Sequence, residues 1–232
     1  MEYLPNGFTL DLPQGSFPLS TDSMVLAHFT SLPRKAKVLD LGAGAGTLGL
    51  LLCAKDPHCQ VTGLEITEEA HEAALKNIVR NDLSARLTSI CSDVRRVPSE
   101  FAPGSFHCCI SNPPYFSGGP ASQATPLARR EDCCTPEDLM RSAAWALRYG
   151  GDFYLVHKPE KLAQLISCAA PYKLEAKRLS LIRHKEGGPI TLILLQLRKG
   201  GKPGLIWEEW CLHHPDGSPT ERYQEIYHTK EK

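Results

Sequence analysis

From Lys37 onward, short apolar runs alternate with longer amphipathic stretches, and the alternation predicts strands and helices in turn. Runs over residues 37–40, 60–65, 87–93, 105–111 and 152–157 read as buried strands. Between them the spacing predicts helices. One follows a glycine-rich turn at Thr47, and one covers 67–81, opening on Thr67 with Glu68 and Glu69 in its first turn. Another covers 135–149, with Thr135 as cap and Pro136 in its first turn, and stops at Gly150-Gly151; a last one covers 159–170. Two longer apolar runs, 172–182 and 191–197, are joined by a turn ending Gly187-Gly188-Pro189 and predict a terminal strand pair. Repeated strand and helix in this order predicts an α/β domain with a mostly parallel sheet.

The polar residues at the strand ends carry the chemistry, because open α/β sheets bind ligands outside the carboxyl ends of their strands. The first run ends in Asp40, followed by Gly42, Gly44 and Gly46. Glycines there allow a tight turn and close approach of a ligand to the backbone. The dinucleotide fingerprint requires a third glycine three positions after the second, where this chain has Thr47. Asp40 would repel a pyrophosphate but would meet a cationic amino group, such as that of the methionine half of S-adenosylmethionine. The form Asp-Leu-Gly-Ala-Gly-Ala-Gly resembles motif I of the class I methyltransferases.

Glu65 ends the second strand about twenty residues beyond the glycine turn, the spacing at which a carboxylate takes ribose hydroxyls. Asp93 follows the third strand; in class I methyltransferases an acid or amide at this place commonly contacts adenine. Each acid alone is an ordinary strand-end residue, but three in order on successive strands point to one site. The fourth strand runs into Asn112-Pro113-Pro114-Tyr115. Two prolines fix the backbone and remove two amide donors, leaving rigid carbonyl acceptors. Asn112 adds a side-chain oxygen and Tyr115 a stacking face. Such a corner suits a planar NH2 group, although Asn-Pro and Pro-Pro also mark plain turns.

Composition narrows the classes. At 232 residues and 42% hydrophobic, the chain suits one folded domain rather than a disordered one. No apolar run reaches membrane-spanning length, and the start lacks the features of a signal peptide, so a cytoplasmic protein is expected, with no membrane partner. The nine cysteines show no CxxC spacing and are expected to be reduced thiols; no metal site is expected. Net charge is zero, yet between Arg148 and Lys202 there are 11 Lys and Arg against 4 acids, a surplus of seven. Lys173, Lys177, Arg178, Arg183 and Lys185 form the densest part, read equally as a phosphate-contacting face or a solvated surface.

Over nearly its whole length the chain resembles the bacterial valine-tRNA (adenine-37-N6)-methyltransferases. The likeness rests on Phe-x-x-Ser-Thr-Asp at Phe17 to Asp22, the glycine turn, Asn112-Pro113-Pro114-Tyr115-Phe116, and Ala-Arg-x-Glu at Ala128 to Glu131. It extends to Pro219-Thr220-Glu221 and Ile226-Tyr227 near the end. Arg130 stands where the family's element carries His. The resemblance implies a Rossmann-like class I methyltransferase fold: a seven-stranded, mostly parallel sheet with a reversed seventh strand and helices on both faces. It implies one domain, with a cofactor- and substrate-side extension at 1–33, a core at 34–199, a substrate loop at 115–134 and a tail at 200–232. The protein would be a monomer using S-adenosylmethionine on a tRNA anticodon stem-loop.

By the same resemblance, Thr21 and Asp22 would enclose the methionine end of the cofactor or the target base. Asp40, Gly42, Gly44, Gly46, Glu65, Asp93 and Asn112 would hold the cofactor, and Asn112, Pro113, Pro114 and Tyr115 would hold the acceptor amine. Three other readings stand beside this one. Release-factor glutamine N5-methyltransferases share the tetrapeptide but carry a helical domain before motif I, for which a first strand at 37 leaves no room. Ribosomal RNA guanine-N2 methyltransferases usually have Phe where this chain has Tyr115. A noncatalytic methyltransferase-fold subunit would have no need of the intact tetrapeptide.

Overall fold

The computed structural model describes residues 2–4, 7–12, 19–113 and 134–227. Its centre is built from β3 (Lys37–Leu41), β4 (Gln60–Glu65), β5 (Leu87–Cys91), β6 (Phe106–Ser111), β7 (Leu147–His157), β8 (Leu174–Lys185), β9 (Ile190–Lys199) and β10 (Ile206–His213). These eight strands form one sheet in the order β10-β8-β9-β7-β6-β3-β4-β5. Only β9 runs against its neighbours, pairing antiparallel with both β7 and β8. The chain crosses from β5 back past β3 to β6, so the strand order reverses between β3 and β6. That switch point opens a crevice at the strands' carboxyl ends.

Helices α2 (Thr47–Lys55), α3 (Glu68–Arg80), α4 (Val97–Glu100), α5 (Pro136–Ala146) and α6 (Leu162–Ala169) connect the strands. Alternation along each strand feeds two cores. Val38, Ile110, Tyr154 and Val156 join the layer that holds α1 (Thr21–Phe29) and α2, whereas Leu39, Cys109, Phe153 and Leu155 join the layer that holds α5 and α6. Burial of each large aliphatic side chain contributes about 1.5–3 kcal/mol, which explains why strands covered on both faces are almost continuously apolar. Helices α1 and α2 are buried around most of their circumference. Lys55 closes the end of α1: its Nζ donates to the carbonyls of Ala27, His28 and Thr30 at 3.0, 2.8 and 2.6 Å.

The structure differs from the sequence expectations in two places. Helix α5 ends at Ala146, not at Tyr149, because Leu147 pairs with Phe106 and begins β7. The stretch 200–232 is more than a tail. Within it β10 adds an eighth strand, parallel to β8, and α7 (Glu221–Tyr227) folds back toward α1.

The N-terminal residues are tied to the core by two asparagines four positions apart, Asn77 on α3 and Asn81 at its C-terminal cap. A short ribbon pairs β1 (Glu2–Tyr3) with β2 (Thr9–Leu10). Asn81 accepts from the Thr9 amide and donates to the Thr9 carbonyl, both at 2.8 Å. Asn77 does the same for Asp11, at 2.8 and 2.9 Å, and also donates to the Ala45 carbonyl at 3.0 Å. Asn77 is fully buried, and all of these polar groups are satisfied.

Candidate active site

The glycine turn between β3 and α2 is held from below and from the side. The amides of Gly42 and Ala43 donate to the Leu64 carbonyl at 3.0 and 2.8 Å, which lashes the turn to β4. Gly42, Gly44 and Gly46 all have left-handed backbone, with φ of 78, 55 and 84°, a region that other residues enter only with strain. At Gly63 the reason is space: a Cβ there would come within 2.7 Å of the Ala43 methyl.

The three strand-end carboxylates lie on neighbouring strands but in different states. Asp40 is 1% exposed, and neither carboxylate oxygen has a hydrogen-bond partner among the described residues. Burial, and then the nearby charge of Glu65, push its pKa up to about 8. Glu65 is occupied: Oε2 accepts from the Gly44 amide at 2.9 Å, and Oε1 accepts from the Thr67 amide and hydroxyl at 2.9 and 2.7 Å. It braces the turn from the next strand and engages the Thr67 hydroxyl, which makes no side-chain cap to α3. Asp93 accepts from the Arg95 amide at 2.8 Å and pairs with the Arg95 guanidinium through both oxygens. Burial raises its pKa, but the Arg95 hydrogen bonds outweigh burial and hold it below the usual carboxylate range. An incoming base would therefore meet an Asp93–Arg95 pair rather than a bare carboxylate.

Strand β6 delivers the tetrapeptide beside this turn. The Ser111 hydroxyl donates to the Leu41 carbonyl at 2.7 Å and joins the ends of β6 and β3. The next residue, Asn112, donates from Nδ2 to the Ser23 hydroxyl at 3.1 Å. Ser23 is the third residue of α1, and Ser20, the cap of that helix, donates its hydroxyl to Ser23 at 3.3 Å. In this orientation Nδ2 is directed to Ser23, which leaves the side-chain oxygen as the end that accepts. Pro113 is buried. Pro114, Tyr115 and the loop 115–133 lie outside the described residues, as do Phe17 and the Ala128 to Glu131 element.

Thr21 and Asp22 stand at the same helix start. Thr21 accepts from the Tyr227 hydroxyl at 3.4 Å, which brings the C-terminal helix onto the N-terminal element. Burial raises the pKa of Asp22, and Lys158 opposes it in part. Sequence reasoning named Thr21 and Asp22 but missed Ser23, Arg95 and Asn77. The last had a signal: Asn77 and Asn81 are paired amides four apart on a helix otherwise built from charged and apolar residues. The basic stretch is less free than its composition suggests. Arg183 pairs with Glu209, Arg178 with Glu208 and Arg198 with Asp152.

The turn, Asp40 and Glu65 fit S-adenosylmethionine. An unpartnered buried carboxylate is costly, and a cationic amino group is the partner that relieves the cost. The left-handed glycines let a ligand reach the main chain, and Glu65 keeps further lone-pair capacity for hydroxyls.

A model of the methyltransferase small domain matches residues 20–167, from the cap of α1 into α6. The tRNA1(Val) (adenine(37)-N6)-methyltransferase of Photobacterium profundum is 28% identical over 84% of this chain and 83% of its own length. The enzyme of the same name from Tolumonas auensis is 30% identical, over 90% of this chain and 87% of its own. Among solved structures, a predicted O-methyltransferase from Agrobacterium tumefaciens, protein Atu636, superposes with a TM-score of 0.76 at 25% identity, covering 90% of this chain and 96% of that one. The chain belongs to the methyltransferase small-domain family and, with these relatives, to the tRNA1(Val) (adenine(37)-N6)-methyltransferases.

Proposed function

We propose that this protein transfers a methyl group from S-adenosylmethionine to the exocyclic N6 amine of adenine in RNA, at position 37 of a tRNA anticodon loop. The observation that carries the reading is Asn112, bonded to Ser23 at the end of β6, beside a glycine turn whose strand ends in a buried carboxylate with no hydrogen-bond partner among the described residues. The relatives' names supply the acceptor base and its position.

S-adenosylmethionine, when bound, supplies an electrophilic methyl on a sulfonium. Asp40 would face its amino group, Gly42, Gly44 and Gly46 would admit it to the main chain, Glu65 would take its ribose, and Asp93 with Arg95 would border its adenine. The target amine is a weak nucleophile because its lone pair is delocalised into the ring. The Asn112 side-chain oxygen and the Pro113 carbonyl would accept its two N–H groups. Those bonds concentrate the lone pair on nitrogen and aim it for in-line displacement. The work is orientation and preorganised electrostatics, with no covalent intermediate. Tyr115 would stack on the base, which must leave the anticodon-loop stack to enter. Thr21 and Asp22 would close the site from α1, and the loop 115–134 would engage the RNA, within a single domain whose flanks are 1–33 and 200–232.

The experiment offers labelled S-adenosylmethionine and the protein to separate tRNA, ribosomal RNA, DNA and release-factor fractions. Label in tRNA as N6-methyladenosine is expected. N5-methylglutamine with no methylated base, or N2-methylguanosine in ribosomal RNA, would sink the reading.

A further inference from the structure

The carboxyl ends of β8 and β10 lie at the same end of the sheet as the site, because both strands run parallel to β7. His184 stands near the end of β8 and His213 ends β10, and their rings are 4.9 Å apart. The row continues onto α7. The His213 ring is 4.8 Å from that of Tyr223, and Tyr223 is stacked on Tyr227 at 4.3 Å and 21°. The Tyr227 hydroxyl then reaches Thr21, two positions before the Ser23 that bonds Asn112. Four rings thus lead from the edge of the sheet to the helix start beside the tetrapeptide.

Packing alone does not account for this row. The buried aromatic cluster of the same layer is Phe29, Tyr154 and Trp210, whose rings meet edge to face. By contrast, His184 is exposed, and His213, Tyr223 and Tyr227 are half-exposed among the described residues. Tyr223 and Tyr227, four apart on α7, border the buried Ile226 and so have an apolar role on their inner side. The two imidazoles carry the row outward from that core, to a ring that stands in solvent.

The row is also fixed in advance. His213 Nδ1 lies 3.0 Å from the His184 carbonyl, which ties one ring to the neighbouring strand. Thr220 donates its hydroxyl to the Cys211 carbonyl at 2.7 Å and its amide to the Leu212 carbonyl at 3.0 Å, which fastens the start of α7 to β10. Rings already held in place lose little freedom when a ligand stacks on them. Charge beside them is mixed, with Glu186 next to Lys185 and Glu221 next to Arg222. The patch therefore offers ring faces rather than a field for phosphate.

Unpaired bases are what such a row recognises, since every base has a π-face and single-stranded RNA is bound by stacking on aromatic side chains. β10 lies four strand spacings from β6, about 19 Å at roughly 4.8 Å each, a span of several nucleotides. We infer that His184, His213, Tyr223 and Tyr227 form a stacking platform for the unpaired RNA bases that flank the methylated one. The platform presupposes the RNA acceptor proposed above.

Two anticodon stem-loop RNAs serve as probes, one intact and one with abasic nucleotides flanking the target adenine. Each is titrated into the full chain saturated with S-adenosylhomocysteine. Wild-type protein should bind the intact RNA about tenfold more tightly than the abasic one. The double variant His184→Ala, Tyr223→Leu should bind both alike, at the weaker affinity, with the salt dependence of binding unchanged. His184→Phe, which keeps a ring, should bind as wild type does. Tm and S-adenosylhomocysteine affinity should stay near wild type, because Tyr223→Leu retains an apolar side chain over the core. Wild-type protein that binds the two RNAs equally, or a double variant that still prefers the intact one, would overturn the platform while N6-methyladenosine in the product keeps the RNA reading. Loss of S-adenosylhomocysteine affinity together with RNA binding would assign the rings a structural role and overturn the platform as well. Wild-type protein that binds neither RNA and methylates no base would sink both.

Discussion

The side-chain amide of Asn112 and the hydroxyl of Ser23 are hydrogen-bonded at 3.1 Å, although 89 positions separate them in the chain. The bond joins the fourth strand of the parallel core to the first helix and holds the amide with its Nδ2 on Ser23. Ser23→Ala removes the anchor and lets the amide sample its flipped orientation. A neutral hydrogen bond of this kind is worth about 0.5–1.5 kcal/mol, so kcat should fall by roughly three- to tenfold. Cofactor affinity and Tm should change little. A fall in cofactor affinity with kcat unchanged would show that Ser23 serves the cofactor pocket instead.

Asp40 gives the site a pH signature. Its pKa is raised from 3.8 to about 8, so folding favours the neutral acid. The ligand-free protein therefore has this stability in full below about pH 4 and loses it as pH rises toward 8, by up to about 1.4 kcal/mol per unit. A bound ammonium favours the ionised carboxylate, so S-adenosylmethionine should bind more tightly as pH rises from about 6 to about 7.5, below the loss of the cofactor's own amino proton. Asp40→Asn should flatten both slopes, read by thermal melts and calorimetry. Slopes unchanged in that variant would exclude Asp40 as their source.

Much of this was legible in local sequence. Strands 37–41 and 106–111 are apolar because both faces are covered, and the Asp-Leu-Gly-Ala-Gly-Ala-Gly turn and Asn112-Pro113 are contiguous with them, so their placement follows from the strands that carry them. What was not legible depends on distant partners. β10 carries Glu208 and Glu209 in its middle and reads as a polar tail until Arg178 and Arg183 of β8 are set beside it. Leu147, Arg148 and Tyr149 have helical composition, yet pairing of Leu147 with Phe106 makes them strand and bulge. Asp93 read as a free ligand because nothing local shows that Arg95 folds back onto it.

Asn77 couples the N-terminal segment to the glycine turn. Asn77→Ala would leave the Asp11 amide and the carbonyls of Asp11 and Ala45 without their partner. Each group so exposed in a buried setting costs about 1–3 kcal/mol unless water replaces the amide. The expected outcome is a Tm lower by several degrees, faster proteolytic cleavage near residues 9–11, and weaker cofactor binding through a looser turn. Cleavage and affinity identical to wild type would show that the segment is held by other contacts.

The most direct test follows a single turnover on an anticodon stem-loop RNA, with the product identified after digestion to nucleosides. Wild-type protein should yield N6-methyladenosine at one loop position. Asn112→Ala should bind S-adenosylmethionine as wild type does and transfer its methyl roughly 100- to 1,000-fold more slowly, the loss typical of a preorganised transition-state contact. Lost cofactor affinity with a normal rate at saturation, or a methylated product other than N6-methyladenosine, would contradict the account.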